Sequence, residues 1–182
     1  MGWVLLVSIL AVGAYLAVTF NGLTRLRMLA RNAWSDIDVQ LKRRHDLIPN
    51  LVAAVKGHSG YEKGTLEAVV EARNRALAVS GPAAAGAAER VLAGQVQQLL
   101  AIAEAYPELR AGESFLGLQR SLTEIEDHIQ NSRRYYNAVV RDLNTRIAQF
   151  PSNLVAGPFG FGPEEFFGLA DGAEAAVPQV QV

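Results

Sequence analysis

The residues best suited to chemistry are two histidines in the first third of the chain, His45 and His58, with Asp46 beside the first. Metal-binding histidines usually stand three or four residues apart on one helix face, or combine with cysteine. His45 and His58 instead lie on either side of Pro49 and Gly57, and the chain contains no cysteine. We therefore expect hydrogen-bonded or solvated histidines here, with no metal site and no cofactor.

A second candidate is the stretch Gly-His-Ser-Gly-Tyr at residues 57–61, which superficially looks like the nucleophile elbow of hydrolases. It lacks the final glycine of that motif, and the residues before it have a helical pattern instead of a strand pattern. We therefore do not expect a nucleophilic serine at Ser59.

Carboxylates are a third candidate, because Asp36, Asp38 and Glu126 could form an acid–base pair. A catalytic pair needs a pocket, and nothing in the sequence predicts one. Polar side chains between packed helices more often satisfy one another and set the helix register. The predicted polar layer consists of Asn32, Asp36, Arg73, Asn74, Glu126 and Arg133. The sequence thus predicts a protein that is not an enzyme.

Composition bounds the class of protein. The chain has 182 residues, half of them apolar, which suffices for one domain with a real core. Its 17 basic and 18 acidic residues leave a formal net charge of -1. Without a basic excess to neutralise phosphates, a nucleic-acid partner is not expected.

Residues 2–20 contain no charged side chain. A helix of that length spans roughly 28 Å, close to the ~30 Å hydrocarbon core of a bilayer. Trp3 and Phe20 stand near its two ends, where aromatic residues suit the membrane interface. A cleaved secretory signal is the alternative, but the basic n-region is missing and Ala17-Val18-Thr19 is a poor cleavage site. The segment is therefore predicted to span the membrane.

Arginines indicate the orientation of this span. No Lys or Arg precedes it, whereas Arg25, Arg27 and Arg31 follow it. The positive-inside rule places the body in the cytoplasm and the N-terminus outside, in a single-pass protein of the bacterial cytoplasmic (inner) membrane. Together with Trp3 and Phe20, these arginines are the predicted membrane-anchoring residues. A further basic cluster, residues 42–44, lies too far along the helix for lipid contact.

The body is predicted to be helical throughout. Apolar residues recur every three or four positions from Leu23 to Val55, with a polar step at Arg44 and His45, and Pro49 is expected to kink or end the first helix. Further helices are expected at about 61–79, 83–106 and 113–149. The last keeps a repeat of 3.5 residues throughout, which is typical of coiled-coil packing.

These patterns predict an all-α protein in which an N-terminal transmembrane helix continues into a long antiparallel, coiled-coil-like four-helix bundle. Residues 1–22 form the transmembrane segment, 23–150 the cytoplasmic helical bundle, and 151–182 a C-terminal tail rich in glycine, proline and phenylalanine. The tail's aromatic side chains need burial against the bundle, a neighbouring subunit or a bilayer interface. These predicted interaction residues are Phe159, Phe161, Phe166 and Phe167.

Several stretches of the chain resemble the LemA family, over roughly residues 1–168. They are residues 32–52 (NAWSDIDVQLKRRHDLIPNLV), 72–74 (ARN), 104–107 (EAYP), 126–137 (EDHIQNSRRYYN) and 150–153 (FPSN). The resemblance implies a bacterial inner-membrane protein with a soluble helical bundle and no established enzymatic activity. It also implies relatives that include a magnetosome membrane protein, and some linked to a membrane-bound metalloprotease. The Gly/Ala-rich link around residues 80–86 and the aromatic tail depart from the family pattern.

Two functional hypotheses follow. In the first, the protein is an oligomeric scaffold in membrane organisation or remodelling, whose partners are the lipid bilayer and further copies of itself. In the second, it is an adaptor or regulator of a membrane-bound protease or of an envelope-stress pathway, with a membrane-protein partner. An enzyme is a third hypothesis without motif support.

Overall fold

The computed structural model describes residues 1–57, 63–110 and 112–168. These residues form helices and connecting segments, with no β-strand among them. The helices are α1 (Gly2–Lys56), α2 (Lys63–Ala78), α3 (Pro82–Glu104), α4 (Pro107–Arg110), α5 (Glu113–Ala148) and α6 (Asn153–Ala156). The all-helical class is confirmed. His58, Ser59 and the tail from residue 169 lie outside the described residues.

Helix α1 is 55 residues long and passes through Pro49 without ending. At ~1.5 Å per residue it reaches about 80 Å. Of the two expected outcomes at Pro49, a kink or an end, the end is wrong, because the helix continues to Lys56. Pro49 lies on an exposed face, so its ring displaces no neighbouring helix.

Helices α1 and α5 run antiparallel along most of the body. Leu23 packs with Leu143 where α1 enters the body. Farther along α1, Ile37 shares a core cluster with Tyr136 and Ile129. The predicted apolar stripe of α1 is buried as expected, since Leu23, Ile37 and Ile48 are fully covered. Each such side chain contributes about 1.5–3 kcal/mol of hydrophobic stabilisation.

Helices α2 and α3 form a hairpin that packs on the far half of α1. Gly81 makes the turn with a φ of 89°, a left-handed conformation that glycine adopts without steric cost, and Pro82 starts α3. Leu92 and Leu99 of α3 join Val69 of α2 and Leu51 of α1 in one core. The hairpin therefore shares its core with the long helices.

The first part of α1, residues 2–18, is exposed along its whole length, and we call it the bare helix. Every residue from 1 to 18 is exposed, and the first buried side chains are Thr19 and Leu23. An 18-residue window of this helix has a mean hydropathy of 2.3. By length and composition the helix could therefore cross a membrane. Because so long a run of apolar side chains has no cover within the described chain, this segment needs an apolar environment from outside it.

Candidate functional site

A buried ionic cluster joins three helices in the middle of the body. Arg44 and His45 are consecutive residues of α1, and both are buried. Glu89 of α3 is buried opposite them: its Oε1 lies 2.5 Å from Nε2 of His45 and its Oε2 lies 2.9 Å from Nη2 of Arg44. Arg44 also donates to the backbone carbonyl of Glu89 at 2.9 Å. One carboxylate therefore holds two neighbouring side chains of α1.

Arg44 reaches α5 as well. Its Nη1 donates to Oε2 of Glu126 at 2.8 Å, and Gln130 donates to the other oxygen of Glu126 at 2.5 Å. The side chain of Glu126 is 41% exposed, so this end of the cluster meets solvent. Arg44 of α1 thus pairs with both α3 and α5. Such contacts favour one register of the three helices relative to one another.

Pro49 creates another polar contact nearby. A proline has no N–H, so the carbonyl four residues earlier, that of His45, loses its helical hydrogen bond. Nε of Arg73 in α2 donates to this carbonyl at 2.8 Å. The interruption that the sequence predicted at Pro49 is therefore used to fasten α2 to α1.

Two clefts open beside the cluster, between α3 and α5. The larger, of about 360 Å³, has Arg44 and Glu126 at one side and Val96, Leu100 and Leu122 among its apolar walls. The smaller, of about 130 Å³, includes Arg44 and Glu89 in its lining. In the part of the chain that the structure describes, no three His, Asp or Glu side chains are grouped to hold a metal ion. The cluster of Arg44, His45, Glu89 and Glu126 therefore pairs the charged side chains of three helices.

The segment after α6 runs back along α5 as a strap, residues 161–168. Asn144 and Asn137, seven residues apart on α5, each bind one backbone unit of it. Asn144 accepts from the Glu164 amide at 2.8 Å and donates to its carbonyl at 2.9 Å. Asn137 does the same with Phe167, at 3.0 and 3.1 Å. These two amide side chains replace the backbone partners that an extended segment would otherwise lack.

Aromatic and hydroxyl groups complete the attachment of the strap. The rings of Trp34 and Phe167 meet edge to face with centroids 5.5 Å apart, and Trp34 also contacts the ring of Tyr136. The hydroxyl of Tyr136 donates to the carbonyl of Glu165 at 2.7 Å. Burial, with the negative charges of Glu164 and Glu165, raises the pKa of Tyr136 to about 12.

The strap also comes very close to α3. A Cβ added to Gly86 would lie 2.3 Å from the backbone nitrogen of Gly168, far inside van der Waals contact. Arg90, one turn later on α3, donates to the Gly168 carbonyl at 3.3 Å. Only glycine at position 86 permits this approach. The Gly/Ala-rich link noted in the sequence therefore has a packing role at Gly86.

The six residues of the predicted polar layer are not brought together. Asn32, Asp36 and Asn74 lie exposed on their helices. Arg73 and Glu126 belong to the observed cluster, each through a different partner. Arg133 lies half-buried near Gly168 at the strap.

The remaining predicted residues lie on the bare helix, where α1 enters the body, and along the C-terminal segment. Trp3 is 81% exposed on the bare helix, and Arg25, Arg27 and Arg31 follow where α1 enters the body. Of the four tail phenylalanines, Phe161 and Phe167 are buried against the chain's own helices, Phe166 is half-buried, and Phe159 is exposed.

Sequence reasoning missed Arg44, His45, Glu89, Asn137 and Asn144 as structural residues. Arg44 and His45 lie between Leu41 and Ile48, where the apolar stripe of α1 would place an apolar side chain. Their position in the sequence therefore indicated that both side chains are buried. Asn137 and Asn144 lie beside stripe positions of α5 in the same way. Glu89 had no comparable signal.

Comparisons with known proteins agree with these motifs. A family model described as the LemA family matches residues 33–182. Magnetosome protein MamQ 2 of Paramagnetospirillum magneticum is 23% identical, with 90% of this chain and 71% of that protein aligned. Magnetosome protein MamQ of Magnetospirillum gryphiswaldense is 24% identical with the same coverage. Protein LemA of Metamycoplasma hominis is 25% identical over 75% of this chain and 63% of its own length.

Proposed function

This chain belongs to the LemA family, and we propose that it acts without enzymatic activity as an oligomeric scaffold in membrane organisation or remodelling. The bare apolar helix and the relatives indicate a membrane-associated protein. In the proposal the chain crosses the bacterial cytoplasmic membrane once, with its N-terminus outside. Its cytoplasmic body works as a coiled-coil-like bundle of four helices.

The single observation that carries the proposal is the continuity of α1. The helix leads without a break from exposed apolar residues to side chains at the centre of the body, such as Ile37 and Leu51. The helix has no break between its exposed apolar part and its packed part, so in the proposal the span and the body move together as one unit. Such a unit transmits the position and tilt of the body directly to the bilayer, which suits a scaffold.

The relatives support the same role. Two of them carry the name magnetosome protein, and the alignment to each extends over 90% of this chain. A scaffold requires no catalytic group, and in this chain the charged side chains at the centre of the body pair with one another.

Self-association has a candidate surface in the span. Gly13 and Ala17 are one helical turn apart and exposed, and a Cβ added to Gly13 would meet nothing within 4 Å. Small residues at this spacing let two helices approach closely in a bilayer. A second copy of the span therefore fits here without rearrangement of the chain.

Energy transfer between fluorescently labelled copies in lipid vesicles tests the scaffold. We expect transfer to rise with protein density above the level of random crowding, and to fall several-fold in Gly13→Ile. Leu10→Ile, a volume-conserving change at an exposed position of the same helix, is the matched control. A chain that stays monomeric at every density would exclude the scaffold.

The adaptor is the second candidate, favoured by the cleft between α3 and α5. Its lining combines apolar Val96 and Leu100 with the charged pair Arg44 and Glu126, a composition suited to a helix of a partner protein. A photo-crosslinker at Gln97, at the edge of this cleft, should then capture a membrane-bound protease. Ala93→Phe should fill the cleft and abolish that capture while energy transfer between copies persists.

A further inference from the structure

We propose that residues 150–161 are a second membrane contact, a foot that inserts its exposed apolar side chains into the bilayer interface where α1 leaves the membrane. The foot consists of α6 and the turns around it. This inference rests on the proposed membrane anchoring of α1 and specifies how the body meets the lipid.

The foot touches the last residues of the bare helix. The ring of Phe20 meets those of Phe159 and Phe161 edge to face, with centroids 5.2 and 5.6 Å apart. On another side, Phe150 and Pro151 share a cleft of about 530 Å³ with Tyr15 of α1. A helix that enters the bilayer at these positions therefore carries the foot to the lipid surface.

The uncharged part of α1 brings the foot close to that surface. Residues 2–20 carry no charged side chain, so a bilayer can cover α1 as far as Phe20. Because Phe20 touches Phe159 and Phe161, a hydrocarbon boundary at Phe20 places the foot at the level of the headgroups.

The foot exposes more apolar surface than a soluble loop needs. Phe150, Leu154 and Phe159 are 79%, 64% and 56% exposed, and all three lie within ten residues. Exposed large apolar side chains elsewhere on the body are each less exposed than these three, as Val39 and Val91 are. A concentration of this kind marks an interaction site, and phenylalanine and leucine are the residues with which interfacial segments enter lipid.

The charges around the foot suit an anionic bilayer. Between Asp142 and Glu164 the chain has no carboxylate, and none occurs before Asp36. The guanidinium of Arg27 lies 4.5 Å from the centroid of the Phe161 ring. The Arg146 guanidinium packs against Gly22, so that an added Cβ there would lie 3.4 Å from its Cζ. These cations at the level of the foot are placed to meet anionic headgroups.

Single-cysteine variants of the full chain provide the test, since the natural sequence has no cysteine. Phe159→Cys and Leu154→Cys report on the foot, Val7→Cys on the span, and Val91→Cys on the distant body. All four positions are exposed, and Leu154→Cys leaves the ring contact between Phe159 and Phe20 intact. Val91 is two residues from Glu89, which pairs with Arg44 about 36 Å along α1 from Phe20.

Each variant is labelled with an NBD fluorophore and reconstituted into phosphatidylcholine vesicles containing phosphatidylglycerol. We expect shallow spin-labelled lipids to quench the foot positions strongly and iodide to quench them at least threefold less than Val91→Cys. If iodide quenches the foot positions as strongly as Val91→Cys while spin-labelled lipid still quenches Val7→Cys, the foot is overturned. The membrane anchoring of α1 would then still hold.

Two further outcomes also overturn the foot. Protection from iodide without quenching by spin-labelled lipid would assign this surface to a second copy of the chain. Iodide access to Val7→Cys would remove the membrane anchoring itself, and the foot with it.

Discussion

At the scale of single residues, Glu89 is the side chain on which the buried cluster depends. It lies against both Arg44 and His45, and its side chain is buried. Without the Glu89 carboxylate, His45 loses its carboxylate partner and Arg44 keeps only the half-exposed Glu126, and breaking a buried ion pair costs several kcal/mol. The same loss at a solvated pair costs little.

Glu89→Gln should therefore lower the free energy of unfolding by about 3 kcal/mol. Glu67→Gln is the matched control, because Glu67 pairs with Lys63 on an exposed helix face and its loss should cost less than ~0.5 kcal/mol. Chemical denaturation followed by circular dichroism in mild detergent measures both. Similar losses for the two variants would show that Glu89 is not the hub of the cluster.

The contact between Arg73 and the carbonyl of His45 can be isolated in a double-mutant cycle. Arg73→Met should cost about 1–2 kcal/mol in the natural chain, because the carbonyl loses its donor. In the background of Pro49→Ala the helix supplies its own N–H to that carbonyl, so the same change should cost clearly less. An equal cost in both backgrounds would mean that Arg73 acts through another partner.

Tyr136 gives the body a defined response to alkaline pH. Its folded pKa of about 12 lies above the unfolded value of 10.0, so this group leaves stability unchanged below pH ~10. Stability should then fall as the pH rises from 10 toward 12, since the unfolded chain releases the proton first. Absorbance at 295 nm in the natural chain and in Tyr136→Phe measures the titration. A difference titration centred at pH 10 would contradict this assignment.

At the scale of elements, the strap behaves as a part of the body, although its composition resembles that of a loose tail. Asn137, Asn144 and Tyr136 of α5 hold its backbone, and Gly86 of α3 gives it room. The sequence showed that these aromatic residues need burial, but it could not say where. The answer depended on hydrogen bonds between residues 20 to 30 positions apart.

Gly86→Ala should displace the strap, because the new methyl group would occupy the space of the Gly168 backbone. We expect a loss of at least 1–2 kcal/mol in stability and faster proteolysis after Phe161 or Phe167. Gly94→Ala on the same helix meets nothing within 4 Å and should stabilise the protein by up to ~1 kcal/mol. Thermal unfolding distinguishes the two, and stabilisation by both would show that the strap does not pack against α3.

At the scale of the whole molecule, the unbroken α1 joins the N-terminus to the body. If α1 crosses the membrane once, the two lie on opposite sides of it. Gly2→Cys should react with a membrane-impermeant maleimide in intact spheroplasts, because the N-terminus is proposed to face outside. Val91→Cys should react only after the membrane is permeabilised. The reverse pattern would invert the topology, and labelling of both in intact spheroplasts would exclude a single span between them.

Much of the architecture follows from local sequence. The apolar spacing of three and four located the helices, and their observed bounds, such as Lys63–Ala78 and Glu113–Ala148, lie within a few residues of the predictions. The uncharged residues 2–20 marked a candidate membrane segment by length and composition alone. These features are decided by backbone periodicity and transfer from water, which each segment carries by itself.

Only the tertiary structure decided which polar side chains are paired and where the tail lies. Glu89 meets Arg44, and Asn137 meets Phe167, because the folding of α1, α3 and α5 together brings distant positions within 3 Å. Pro49 shows the same principle, since a local rule predicted the missing helical hydrogen bond, whereas only the tertiary structure showed that Arg73 of α2 donates to the free carbonyl. The hydrogen-bond and ion-pair partners of these side chains depend on how the helices pack, which local patterns in the sequence do not reveal.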